Sequence, residues 1–374
     1  MGTPARKVFI MLSTDHIGGA EKRFVGLWQA LCETEEELQA ILVVSPGLFR
    51  VLQQQEDFAA VLERFRERIL QFDPGGGFKK FQSAVKDFVS RHTTANDILH
   101  FIGDHPLLPG LKRKQVYSIT QSSLKNLNAA GKTGQLGGVA FSDVTDILDP
   151  LIFKQMRRIF FYKRHKFFRT TNSFCDVNLF QPLPFEQKKD WLVFLGRFEP
   201  MKQVKQLLEM LPSVYEAIKT SAVNDLHFYL FGHGAQEAEL REMLKEERYR
   251  GLPITIGFNS RPYEVLAKSK VFFSLQLHNN YPSRSLIEAM AAGNIPLVTD
   301  VGQTRWLAKP EFSYYVPEHF AVADMVKAVN KIFSEETGIL ARKSAEARQF
   351  VLDEHTVEKM ADYYKGLYRT CFAG

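Results

Sequence analysis

The sequence predicts an α/β fold built from two doubly wound parallel sheets, and three observations carry that expectation. Unbroken apolar runs of strand length recur along the chain, each followed by a stretch of helical periodicity, as expected of strands buried on both faces by helices. At 374 residues the chain is longer than one ordinary core serves, so two domains are expected. A hydrophobic share of 45% and a charged share of 24% belong to a globular protein rather than a disordered one.

In the first half the strands fall at 7–13, 40–45, 98–102, 116–120 and 138–141. In the second half they fall at 192–195, 227–231, 254–256, 271–275 and 295–298. A Pro-rich junction near 182–189 divides the chain into domains 1–183 and 184–345. Residues 345–367 read as one long helical pattern, so 346–374 form a C-terminal helical segment.

The richest stretch is 274–307, SLQLHNNYPSRSLIEAMAAGNIPLVTDVGQTRWL. An apolar strand runs into a polar turn, a helix opens around Ser283 to Ser285, and Glu288 lies about one turn inside it. Free backbone N–H groups and the positive end of the helix dipole suit a phosphate, and an acidic side chain one turn in suits ribose hydroxyls. Ser285-x-x-Glu288 is equally a capping box that would hold any helix end. Ala289, Ala291, Ala292 and Gly293 let the helix pack closely against the next strand.

Three upstream passages add chemistry. WLVFLGRFEPMK, 191–202, is a buried strand followed by Gly196, Arg197 and Lys202. Arginine can hold phosphate oxygens in bidentate fashion and lysine adds a mobile point charge, although both fit surface cations at a strand end as well. LHFYLFGHG, 226–234, ends a strand on Gly232-x-Gly234, and ITIGFN, 254–259, brings Gly257 and Phe258, the latter equally at home in a core. Near the amino terminus Gly18 and Gly19 stand between a strand and an amphipathic helix, where they admit either close approach of a ligand or a tight turn.

In this order the passages resemble the retaining glycosyltransferases of family 4, two-domain enzymes of the GT-B type. That family carries a Glu-x7-Glu motif ahead of a small-residue run and a V-x-x-D-x-G strand end. Glu288, Ala289, Met290, Ala291, Ala292, Gly293, Pro296, Val298, Asp300 and Gly302 match, while Asn280 stands in place of the first glutamate. The family's Gly-Gly-Ala-Glu run is present as Gly18 to Glu21, and Asn172, Asp176, Phe180 and Pro182 loosely match its interdomain passage.

The resemblance implies a GT-B fold, two Rossmann-like domains facing a central cleft, the first binding acceptor and the second binding nucleotide sugar, with the last helix crossing back. It implies that Arg197 and Lys202 hold the donor diphosphate, with Gly18, Gly19, Gly196 and Gly232 admitting the ligand. It also implies that Ser283, Ser285, Leu286 and Glu288 complete the nucleotide site, that Gly257 and Phe258 wall the base, and that Asn280 meets the sugar. The reaction implied is retaining transfer of a hexose-like sugar from a UDP- or GDP-linked donor to a glycan or lipid-linked acceptor, in polysaccharide or lipopolysaccharide synthesis.

Many relatives have a histidine after the strand 116–120, where this chain has Gln121. His100, Asp104 and His105 are then the polar candidates in the first domain, His105 the preferred one. The cations supply the charge a metal would, and with no Asp-x-Asp run, no metal or other cofactor is expected. Two other readings stay open: a scaffold that keeps the nucleotide cleft without catalysis, for which Asn280 and Gln121 speak, and a sugar-nucleotide epimerase or phosphorylase.

Three widely spaced cysteines point to a reducing compartment rather than a disulfide framework. No apolar run reaches transmembrane length and the start passes straight into a strand, so a cytoplasmic protein is expected. The formal net charge is +6, and segment 154–169, KQMRRIFFYKRHKFFR, holds seven cations and no acid. Its interleaved aromatics fit a core with a solvated cationic face, an anionic membrane surface on the inner leaflet, or a nucleic acid, although no nucleic-acid fold signature accompanies them.

Overall fold

The computed structural model describes residues 6–34, 38–73, 75, 78–103, 110–120, 129–170, 173–219 and 225–373. The chain forms two units, one of residues 1–172 with 357–374 and one of residues 173–356.

The first unit holds a parallel sheet of seven strands: β1 (Arg6–Leu12), β2 (Leu38–Val44), β3 (Ile69–Gln71), β4 (Ile98–Ile102), β5 (Lys114–Ile119), β6 (Val144–Ile147) and β7 (Phe167–Arg169). Their order is β3-β2-β1-β4-β5-β6-β7, so the chain starts mid-sheet, winds outward, and returns beside β1 to wind the other way. Phe9, Met11, Leu99, Phe101, Tyr117 and Ile119 build the core on one face, under the helices Phe78–His92 and Ala129–Phe141.

The opposite face carries a buried polar chain that fastens the last helix, Val357–Ala373. Asp146 accepts from Tyr363 OH at 2.6 Å, Tyr364 OH at 2.8 Å and Ser118 Oγ at 2.9 Å. His100 bridges Ser118 Oγ and Tyr368 OH, each at 2.8 Å. Because Ser118 gives its proton to Asp146, it accepts from His100 Nε2–H, which leaves Nδ1 to accept from Tyr368. Burial, with Arg23 adding to it, depresses the imidazole to about 3, so His100 stays neutral.

The second unit holds β8 (Lys189–Leu195), β9 (His227–Phe231), β10 (Ile254–Gly257), β11 (Ser269–Ser274), β12 (Ile295–Thr299) and β13 (Tyr314–Val316), all parallel, in the order β10-β9-β8-β11-β12-β13. Strand alternation splits its core into two layers. Leu192, Phe194, Val271 and Phe273 face the helices Val204–Ile218 and Val322–Ser334, whereas Val193 and Phe272 face Arg284–Ala291 and Thr337–Glu354. β8 and β11 are neighbours from which the chain winds in opposite directions, and the crevice at their carboxyl ends is where ligands bind in open sheets.

Several expectations are corrected. Residues 138–141, expected as a strand, end the helix Ala129–Phe141; Gly138 brings it so close to β5 that a methyl group there would lie 2.5 Å from the Tyr117 ring. The strand of that region is β6. The long helix expected over 345–367 breaks at His355 and Thr356, because Cys175 pairs with that stretch: its N–H donates to His355 O at 3.0 Å. The junctions at 183/184 and 345/346 both fall inside the second unit, whose core takes in Cys175, Phe180, Ala347 and Val351.

Candidate active site

β8, β9 and β10 end beside glycines that are laced together: Gly196 N–H donates to Phe231 O at 3.0 Å and Gly232 N–H to Gly257 O at 2.8 Å. A methyl group on Gly232 would lie 1.8 Å from the Gly196 carbonyl oxygen, and one on Gly234 would lie 2.7 Å from that of Phe198. The strand ends thus approach backbone to backbone. Beyond them Phe258 is 71% exposed, edge-on to the His233 ring at 5.8 Å, which removes the core alternative for this residue.

Arg197 is exposed and donates to Glu199 Oε1 at 2.8 Å. Lys202 ends the 3₁₀ turn Pro200–Lys202, and Gln203, with φ 52°, reverses the chain into the helix Val204–Ile218. Lys202 Nζ donates to Gln276 Oε1 at 2.8 Å, and Gln276 Nε2 donates to Asn280 Oδ1 at 2.5 Å. Asn280 is buried, accepting also from Ser274 Oγ at 2.9 Å and donating through Nδ2 to Ser274 O at 2.7 Å. Thr299 Oγ1 clamps the backbone of Gln276, accepting its N–H at 2.9 Å and donating to its carbonyl at 2.8 Å.

Lys202 and Asn280 are therefore joined through Gln276 across the β8–β11 switch point. Gln276 and Thr299 have no place in the sequence reading; the available signal was a polar residue directly after an apolar strand in the SLQLHNN passage. Burial, reinforced by the nearby Arg197 guanidinium, draws the Lys202 ammonium down to about 8.

The helix Arg284–Ala291 begins one residue before Ser285, with Ser283 as its N-cap, so the Ser285–Glu288 capping box does not form. Glu288 instead accepts from Arg284 Nε at 2.7 Å, one turn back. The Ser283 hydroxyl makes no cap bond, and the first intrahelical bond runs from Ile287 N–H to Ser283 O at 3.2 Å. The backbone N–H groups of Arg284, Ser285 and Leu286 lie ahead of that bond, at the positive end of the helix. Leu286 contributes backbone only, since its side chain is core. Gly293, at φ 69°, closes the helix against Ser344.

In the first unit Gly18 caps the helix Gly19–Glu33. Glu21 reaches back to accept from Gly18 N–H at 2.8 Å and from Thr14 Oγ1 at 3.0 Å, while a methyl group on Gly19 would meet nothing within 4 Å. His100 leaves the set of catalytic candidates, because both ring nitrogens are spent on the buried chain under the last helix. Asp104, His105, Gln121 and Asn172 lie outside the described residues. Among the described residues no group of three or more His, Cys, Asp or Glu could hold a metal ion.

Two doubly wound parallel sheets, the second with cations and a glycine edge at the carboxyl ends of its strands, are the architecture of the GT-B fold. Residues 177–350, which lie within the second unit, match the family described as Glycosyl transferases group 1. No curated protein matches the sequence. Among solved structures the fold is shared with a glycosyltransferase from Rickettsia africae ESF-5 at 13% identity and a TM-score of 0.74, covering 99% of each chain. HepE of Anabaena, in complex with UDP and glucose, is similar at 12% identity and a TM-score of 0.73, over 98% of this chain and 100% of that one. Sucrose-phosphate synthase of Thermosynechococcus elongatus is similar at 15% identity and a TM-score of 0.71, over 98% and 99%.

Proposed function

We propose that the protein moves a sugar from a nucleotide-diphosphate sugar to a glycan or lipid-linked acceptor with retention at the anomeric carbon, and needs no resident metal. The observation that carries this reading is the Lys202–Gln276–Asn280 chain at the β8–β11 switch point, inside the segment matched to glycosyl transferases. Solved relatives of the fold hold UDP and UDP-glucose, which supports a nucleotide-sugar donor.

In the proposed reaction the bond from the anomeric carbon to the diphosphate oxygen breaks as the acceptor oxygen bonds to that carbon from the same face. The acceptor's proton passes to the departing phosphate. Arg197, Lys202 and the N–H groups at the start of Arg284–Ala291 stabilise the charge on the leaving diphosphate, and Glu288 turns from Arg284 to the ribose. Asn280 supports a second reading, binding without transfer: its amide is satisfied inside the unit, at the position where the family places a carboxylate.

Thermal-shift and calorimetric titrations with UDP, GDP, ADP and their sugar conjugates decide the donor site. One diphosphate should stabilise the protein selectively, by about 2.7 kcal/mol at a hundredfold excess over Kd. Glu288→Ala should weaken that ligand about 10- to 100-fold, the worth of a hydrogen bond to a charged group. Binding of none of them overturns the assignment. Slow hydrolysis of the bound donor in a chelator distinguishes transfer without a metal from mere binding.

A further inference from the structure

Segment 154–169 divides into a part that packs and a part that does not. Met156, Phe160 and Phe167 are buried in the first unit's core, at the end of the helix Pro150–Ile159 and in the edge strand β7. Between them the 3₁₀ turn Phe161–Lys166 leaves Phe161 67% and Tyr162 61% exposed, and on the helix Leu151 and Ile159 are 66% and 49% exposed. Large apolar side chains bared together are uncommon on a globular surface.

The turn is built, not frayed. Lys163 Nζ donates to the carbonyls of Val139 at 2.9 Å, Ala140 at 3.0 Å and Ser142 at 2.7 Å, closing the carboxyl end of the helix Ala129–Phe141. Arg164 Nε donates to Arg157 O at 3.1 Å and folds the turn back on the preceding helix. Phe141, itself 47% exposed, lies between the carbonyls that Lys163 holds. Lys154, Arg157, Arg158 and Arg164 are exposed around this patch, and among the described residues no salt bridge involves them. Residues 150–169 contain no acid.

We propose that this patch docks the first unit onto an anionic bilayer. Phe161, Tyr162 and Ile159 enter the boundary between headgroups and acyl chains while Lys154, Arg157, Arg158 and Arg164 meet lipid phosphates. A second copy of the chain is the poorer partner, since a twofold contact would set this cationic patch against itself. A nucleic acid is poorer too: Leu151 and Ile159 offer no stacking face, and the Phe161 and Tyr162 rings stand at 90° to each other rather than as a platform. The inference stands apart from the sugar-transfer reading and is tested without any assay of activity.

The full chain is sedimented with vesicles of phosphatidylcholine alone and of phosphatidylcholine with about a third phosphatidylglycerol. Binding to the anionic vesicles only, weakening with salt, is the expected result. The triple variant Lys154→Glu, Arg157→Glu, Arg158→Glu and the double variant Phe161→Ser, Tyr162→Ser should each bind at least about tenfold more weakly with unchanged thermal midpoints, because every substituted side chain is exposed. Failure to bind anionic vesicles overturns the proposal, as does binding that survives both variants. So does binding of a single-stranded oligonucleotide, or self-association, that both variants abolish while vesicles go unbound.

Discussion

Lys202→Met is expected to lower turnover of the nucleotide-sugar donor by about a hundred- to a thousandfold, the loss found when one preorganised donor to a developing negative charge is removed, about 3 to 4 kcal/mol. The ammonium stands at the end of a turn, and among the described residues its one hydrogen bond is a neutral one to Gln276, so the wild-type protein already bears the cost of holding that charge in a half-buried place. Methionine keeps the stem and removes the charge, and the thermal midpoint should hold or rise. The same residue sets a pH dependence. Its folded pKa of about 8 lies below the ordinary lysine value, and a bound diphosphate favours the protonated form. Affinity is therefore complete below pH 8 and falls as pH rises through it, by up to about tenfold per unit. Calorimetric titration of the bound nucleotide from neutral pH to pH 9.5 should show that decline in wild type and a flat profile in Lys202→Met; a flat wild-type profile would remove Lys202 from the diphosphate.

Gly232→Ala is expected to destabilise the second unit by about 3 kcal/mol or more, beyond the usual cost of an overpacked core, because the new methyl group would sit 1.8 Å from a backbone oxygen rather than against a side chain that can swing away. For a unit of this size that is a fall of roughly 6 to 12 °C in its midpoint. Hydrogen exchange in β8 and β9 reads the second unit alone, without assuming that both units melt together. Gly19→Ala, where the added methyl group meets nothing within 4 Å, is the matched control and should stay within about 0.5 kcal/mol of wild type. Equal midpoints for the two variants would mean that the β8 and β9 ends yield more readily than their hydrogen bonds imply.

Most strands legible in the sequence are interior ones: β1, β2, β4, β5, β8, β9, β11 and β12 show as apolar runs. The half-exposed edge strand β10 is legible from its alternating Ile254 and Ile256, whereas β6, though buried throughout, has only four residues and a central Thr-Asp pair. β3, β7 and β13 have three residues each and end the sheets, and so short a segment becomes a strand only when a neighbour offers its edge. Gly138 misled for a related reason: its missing side chain serves Tyr117 on another element, a fact local periodicity does not contain. At the candidate site the cations Arg197 and Lys202 and the glycine ends were legible as motifs. Gln276 was not, since its role depends on Thr299, 23 positions away, and on a lysine 74 positions before it. Glu288 lies on its helix as the sequence indicates, and of its two readings the capping box falls, because Ser283 rather than Ser285 is the N-cap.

The polar chain beneath the last helix has a consequence for how the protein is made. Asp146, Ser118 and His100 belong to strands synthesised early, whereas Tyr363, Tyr364 and Tyr368 leave the ribosome only after all of residues 173–356. The usual amino-to-carboxyl order of domain completion is thereby inverted: the second unit has its whole sequence in hand while the first still waits, with the Phe24 ring and a half-satisfied carboxylate open to water. A nascent chain stalled just short of residue 357 would present a complete second unit tethered to an unfinished sheet, and that interval is when the first unit most needs a chaperone.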